Sequence, residues 1–284
     1  MPWAVDFEWG PSSEPAVPQA FAEAFAASMP SRYGVLFDGR TIRRHAAVSF
    51  RRGGRLACAE VWRPLPDGSA ALCVVAQDRP GLLSAIAASL VLHKLDVITA
   101  LVFSRPIAGG ETEAVDLVWV RRASSADTAA IDADEAQSIG EVLSAILSGN
   151  IAVDQIAAQA TCDSPPTDEA VNVRFEAADE NGMAVLLVEA ADRPGILLTI
   201  ALELFQQGAQ IVRSLVRTAD GRAFNRFELA EFSAAPLTPE RREQIRAAVF
   251  AALAFKGPGG EAADGAASVS VAGSTSKPPD DDSG

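Results

Sequence analysis

The tetrapeptide Asp-Arg-Pro-Gly occurs twice, at Asp78-Arg79-Pro80-Gly81 and at Asp192-Arg193-Pro194-Gly195, each time between an apolar run and an amphipathic one. A strand is expected to end there and a helix to begin. The turn then exposes helix-terminal N–H groups, with no side chain at glycine in the way. On spacing alone two roles stay open. In the local one, Asp78 and Asp192 accept hydrogen bonds from the free amides around Gly81 and Gly195. In the chemical one, those amides hold a small carboxylate ligand while a nearby aspartate holds its ammonium group. The turn is neither a GxGxxG nor a Walker fingerprint, so dinucleotide or nucleoside triphosphate binding is not expected.

Other residue types that do chemistry are poorly placed for it. Ser84 follows the first turn without a Gly-x-Ser-x-Gly elbow. The two histidines, His45 and His93, are not followed by aspartate and cannot populate a His/Asp metal cluster. Cys58, Cys73 and Cys162 show no CxxC or CxxH spacing, which argues against both a zinc site and a disulfide framework. The Asp-x-Asp of Asp132 and Asp134 lies in a loop-like stretch and Asp280-Asp281-Asp282 in a low-complexity tail, and both read as solvated charge. No catalytic residue, metal or cofactor is therefore expected. A net charge of −13 argues against nucleic acid and anionic lipid as partners, since both are bound through cations. The longest apolar runs, such as Gly81 to Leu92, fall short of the roughly 20 residues a spanning helix needs. Residues 1–10 carry Asp6 and Glu8 and lack the basic start of a secretory signal, so a cytoplasmic location is expected.

The elements that position the two turns repeat as well. The second motif follows the first by 114 residues (78 to 192), and at that offset Gly68 matches Gly182, Leu83 matches Leu197, Ile86 matches Ile200, Leu90 matches Leu204 and Leu101 matches Leu215. A period this long marks a duplicated domain, because solenoid units repeat every 20 to 50 residues or so. Each copy opens with two apolar segments around Asp67-Gly68 or Asn181-Gly182, the signal of a β-hairpin. After the motif an amphipathic helix runs to about His93 or Gln207, two β-rich segments follow, and a second helix closes the copy. Its stripes are Ile139, Val142, Leu143, Ile146 and Ile245, Val249, Leu253, the latter started by Thr238-Pro239-Glu240.

The order ββαββα is a circular permutation of the ferredoxin-like βαββαβ plan, and the expected fold class is α+β: two such domains, each with its own four-stranded antiparallel sheet and two helices on one face. The boundaries read as a helical extension over 1–55, domains over 56–150 and 171–256, a linker over 151–170 and a disordered tail over 257–284. The extension holds two expected helices, Pro18 to Ser28 and Thr41 to Phe50.

Val74 to Leu83, the strand Ala114 to Val120 and the second copy's Val188 to Gly195 resemble the ACT domain, a module that binds amino acids in regulatory proteins. The tandem is similar to the C-terminal regulatory half of the bifunctional uridylyltransferase/uridylyl-removing enzymes of bacterial nitrogen control, and Met29-Pro30-Ser31-Arg32-Tyr33 and Ile42-Arg43-Arg44-His45 resemble the stretch leading into it. The nucleotidyltransferase and phosphohydrolase motifs of those enzymes do not occur in this chain. The resemblance implies a regulator that binds a small amino acid, glutamine foremost, and that has a protein partner or forms a homodimer. Its implied sites are the turns Asp78, Arg79, Pro80, Gly81, Leu82 and Asp192, Arg193, Pro194, Gly195, Ile196, with Asp96, Val97, Ile98 and Gln210, Ile211, Val212 as opposing walls. Asp96 becomes Gln210 in the second copy, which favours the first as the binding copy. The alternatives are a regulatory subunit of a split uridylyltransferase with a separate catalytic partner, and a dimerisation scaffold that binds nothing.

Overall fold

A computed structural model describes residues 17–65, 68–124, 126–163, 171–176 and 183–254. The hairpin-turn residues Asp67, Asn181 and Gly182 and the expected tail over 257–284 lie outside these. The described residues begin with three helices, α1 (Gln19–Ser28), α2 (Ser31–Leu36) and α3 (Gly39–Arg52). The first repeat follows as β1 (Ala57–Pro64), β2 (Ala70–Gln77), α4 (Leu82–Leu92), β3 (Leu95–Pro106), β4 (Thr112–Arg122) and α5 (Ala133–Leu147). Then come α6 (Val153–Asp163) and the second repeat: β5 (Asn172–Glu176), β6 (Ala184–Ala191), α7 (Ile196–Gln206), β7 (Ala209–Ala219), β8 (Arg222–Glu231) and α8 (Pro239–Ala254).

The expected pair of four-stranded sheets is corrected by the structure. Among the described residues eight strands form one antiparallel sheet in the order β1-β2-β4-β3-β7-β8-β6-β5. The join is β3 to β7, where Thr99 pairs with Arg217, Ala100 with Val216 and Leu101 with Leu215. Leu101 and Leu215 are also equivalent positions of the repeat, so a local two-fold axis passes through that pair. The physical reason lies in the hairpins. Each repeat leaves β3 or β7 with one row of N–H and C=O groups unpaired by its own repeat, and two such edges in one chain satisfy each other.

One sheet face carries α4, α5, α6, α7 and α8 over a core that runs through both repeats, including Leu72, Ile86, Leu143, Leu186, Leu198 and Phe227. Among the described residues the opposite face is covered in the first repeat, where Phe25, Tyr33, Ala46 and Val48 from α1 to α3 pack on Cys73, Val75, Phe103 and Leu117. In the second repeat the matching face leaves Leu215 and Phe224 exposed. Cys58 lies opposite Val75, not opposite Gln77 as a symmetric turn would place it, because Arg63 already pairs with Ala71, one residue off that register, and a bulge at Val61/Arg63 shifts it by one more. Both Cys58 and Cys73 are buried free thiols. The stretch read as connective contains α6, and Asp132 caps α5 by accepting the Glu135 N–H at 2.9 Å. Among the described residues no helix is long and apolar enough to cross a membrane.

Candidate functional site

Both motifs form the same turn. Gly81 and Gly195 adopt left-handed backbone angles, φ +81° and +79°, and stand as the N-caps of α4 and α7 with no side-chain capping bond. A residue with a Cβ is strained there, which accounts for glycine at both positions. The local role offered for the aspartates is not what the structure shows. Ser104 Oγ donates to Asp78 Oδ2 at 2.7 Å, and the equivalent Thr218 Oγ1 reaches Asp192 Oδ1 at 3.4 Å. The carboxylates thus tie the turn to the far end of the next strand. Leu82 N–H donates to the Arg79 carbonyl and Ile196 N–H to the Arg193 carbonyl, which leaves the next amides of each helix as donors free of side-chain caps.

The wall opposite each turn comes from the other repeat. The first turn, Asp78, Arg79, Gly81 and Leu82, faces Ala209, Gln210 and Ile211 across a cavity of about 30 Å³. The second, Gly195 and Ile196, faces Leu95, Asp96 and Val97 across one of about 10 Å³. Asp96 therefore belongs with the second turn: Arg121 bridges it, at 2.9 Å, to Asp192 at 2.7 Å. Burial and the nearby Asp192 push the Asp96 carboxyl up, and Arg121 opposes this. Ile98 and Val212 sit at the bulges of β3 and β7 and line neither cavity. Pro80 and Pro194 form the exposed shoulders of the turns, Arg79 donates to the Leu147 carbonyl at the end of α5, and burial lowers the Arg193 pKa.

Two residues that sequence reasoning passed over line the cavities. Asp116, on β4, is 1% exposed, and its Oδ1 has no hydrogen-bond partner. Asn225, on β8, is 3% exposed, and neither of its side-chain polar atoms has one. They are structural equivalents, since Asp116 pairs with Val102 and Asn225 with Val216, themselves repeat mates. A constant offset hides this because the β7–β8 turn is shorter than the β3–β4 turn. The available signal was a carboxylate inside the apolar run Ala114 to Val120. Burial, and after it the neighbouring Asp78, push the Asp116 carboxyl well above the usual range, although the Phe103 amide donates to it.

The two cavities are closed differently. A Cβ on Gly81 would lie 2.9 Å from the Phe205 ring, which is 38% exposed and packs on Phe232. A Cβ on Gly195 would lie 3.0 Å from Ala160 of α6. A side chain covers the first turn and a helix the second. Gly81→Val is expected to cost about 1–3 kcal/mol from the backbone angle alone. Urea denaturation checks this, and an unchanged midpoint would refute it.

Other singled-out residues have structural partners. Ser84 is buried and donates to the Gly81 carbonyl at 2.7 Å. His93 links Ser89 of α4 to Ser138 of α5. Among the described residues no group of three or more His, Cys, Asp or Glu is placed to hold a metal ion.

No protein-family model matches this chain, and no curated protein matches it. Among solved structures, a trimeric bacterial microcompartment shell protein, PduB, aligns over 65% of this chain and 76% of its own at 10% identity and a TM-score of 0.23, too slight a likeness to carry an argument about fold or function.

Proposed function

We propose that this chain is an amino-acid-sensing regulatory protein that takes its ligand at the first Asp-Arg-Pro-Gly turn. The supporting observation is the pairing, in one cavity between the repeats, of the uncapped N-terminal amides of α4 with the buried carboxylate of Asp116. The first suits a ligand carboxylate and the second an ammonium group, the two ends of an amino acid. Glutamine leads only through the resemblance noted from sequence. The buried free thiols fit the reducing cytoplasm in which such a sensor would work.

A cavity of about 30 Å³ holds about one water, so a ligand must displace Phe205. Phe205 sits on α7 of the second repeat and Gly81 on the first, so moving this ring changes a contact between the repeats. That motion would be the signal to a partner. The second turn, closed by α6, would serve packing.

Calorimetry and thermal melting of the full chain against each of the twenty amino acids at millimolar concentration test the reading. A ligand in about hundredfold excess over Kd contributes about 2.7 kcal/mol to stability. Gly81→Val, which puts a branched side chain at the carboxylate position, should abolish binding with the circular dichroism spectrum retained. If no amino acid gives heat or a shift, a ligand-free dimerisation scaffold becomes the better account. Nucleotidyl transfer appearing only with a separate catalytic protein would favour the split-enzyme one.

A further inference from the structure

We infer that Asp116 is the specificity-determining group of the first cavity, that it takes the ligand's ammonium group, and that its proton is released to solvent as the ligand binds. The inference rests on the amino-acid reading above and deepens it. A carboxyl 1% exposed with one oxygen lacking a partner is costly to keep inside a protein core. Asp78 shares the cavity but is already engaged by Ser104. Among the described residues the groups lining the cavity with Asp116 supply no free cation. The Arg79 guanidinium on the turn donates to the Leu147 carbonyl, and β3 presents Val102. From α4 comes Ser84, bonded to the Gly81 carbonyl, and from the second repeat come Ala201 and Phe205 of α7 and Gln210 of β7. Asp78 and Arg79 are thus the only other titratable groups among the described residues lining the cavity.

In the free protein burial, and after it Asp78, push the Asp116 carboxyl well above its usual range, toward the protonated form. An arriving ammonium group keeps its three protons and donates to the carboxylate, and the carboxyl proton passes to buffer. The charge balance of the cavity then changes from neutral acid to ion pair. Asn225 at the equivalent position cannot ionise, and Asp96, the acid that lines the second cavity among the described residues, is already paired with Arg121, so the second cavity does not make this exchange. Binding at one site per chain follows, and it should discriminate against analogues that keep the carboxylate and lack the amine. Affinity should rise with pH below the free-state pKa of Asp116, because less work is then needed to remove its proton.

The test is calorimetry of the full chain with L-glutamine, and with the other amino acids if glutamine is silent, in phosphate and in Tris at one neutral pH. Wild type should release about one proton per ligand, read from the difference in heat between the buffers. Asp116→Asn should bind about 20-fold more weakly or worse and release none, while Asn225→Ala should bind as wild type does. Asparagine already occupies the equivalent site in the second repeat, which argues that the variant folds, and the wild-type proton count needs no variant. Wild-type binding with equal heats in the two buffers, or Asp116→Asn binding within about threefold of wild type, overturns the role of Asp116 and leaves the amino-acid site standing. Silence with every amino acid overturns both.

Discussion

Glu113→Ala should destabilise the protein by about 3–5 kcal/mol, because it strands two arginines in the interior. Glu113 is 2% exposed and sits on β4 directly opposite Arg105 of β3. It receives Arg105 at 2.8 Å, Arg52 of α3 at 2.9 Å and the Ser49 hydroxyl at 2.7 Å. Arg105 reaches on to Ser28 of α1 at 2.9 Å and lies over the Phe25 ring at 4.7 Å. This one carboxylate therefore ties α1 and α3 to the sheet. The control is the exposed pair Arg51–Glu60, whose loss should cost about 1 kcal/mol or less. Urea denaturation at neutral pH measures both. A Glu113→Ala variant within about 1 kcal/mol of wild type would show that the network is solvated or replaceable.

How much of this was legible differs element by element. Helices α4 and α7 begin and end within a residue or so of where the Pro-Gly turns and the apolar stripes place them, because capping and periodicity are local properties. The Thr238-Pro239-Glu240 start of α8 was equally legible: Arg241 N–H donates to Thr238 Oγ1 at 3.3 Å. The β3–β7 join was not. Alternation along an edge strand is the same whether its outer row meets water, a second chain or another part of the same chain. The offset of the repeat made Leu101 and Leu215 equivalent and left open that they face each other. That join carries Gln210 and Ile211 to the first turn and Asp96 and Val97 to the second, each the wall of the other repeat, while Ile98 and Val212 line neither cavity. The run Ala70 to Ala76 was a missed signal. An unbroken apolar strand is buried on both faces, and here α1 to α3 supply the second cover. Asp116 escaped for the opposite reason, since a single acid within an apolar strand resembles an ordinary outward position until the fold shows which face it occupies.

Lowering the pH from about 7 to about 5 should cost about 2 kcal/mol of stability through His45 alone. His45 is completely buried beneath α2, with Nδ1 2.5 Å from the Tyr33 hydroxyl and its ring edge-on to Trp62 at 4.7 Å. Burial, with Arg44 adding to it and Asp38 opposing it, depresses its pKa from 6.5 to about 3. In that interval the unfolded chain binds a proton at this residue and the folded one does not. Stability therefore rises with pH there, at about 1.4 kcal/mol per unit, levels off above the unfolded value and is lost as pH falls toward the folded one. Carboxyls contribute their own pH dependence, the raised Asp96 and Asp116 among them, so the decisive quantity is a difference between two proteins. His45→Gln should be less stable than wild type at neutral pH, since it disturbs the Tyr33 contact. The gap should narrow by about 2 kcal/mol at pH 5, because glutamine has no proton to gain. Parallel stability curves for the two proteins between those pH values would mean that His45 is protonated in the folded state, with an acceptor for its Nε2 proton inside what is here an aromatic enclosure.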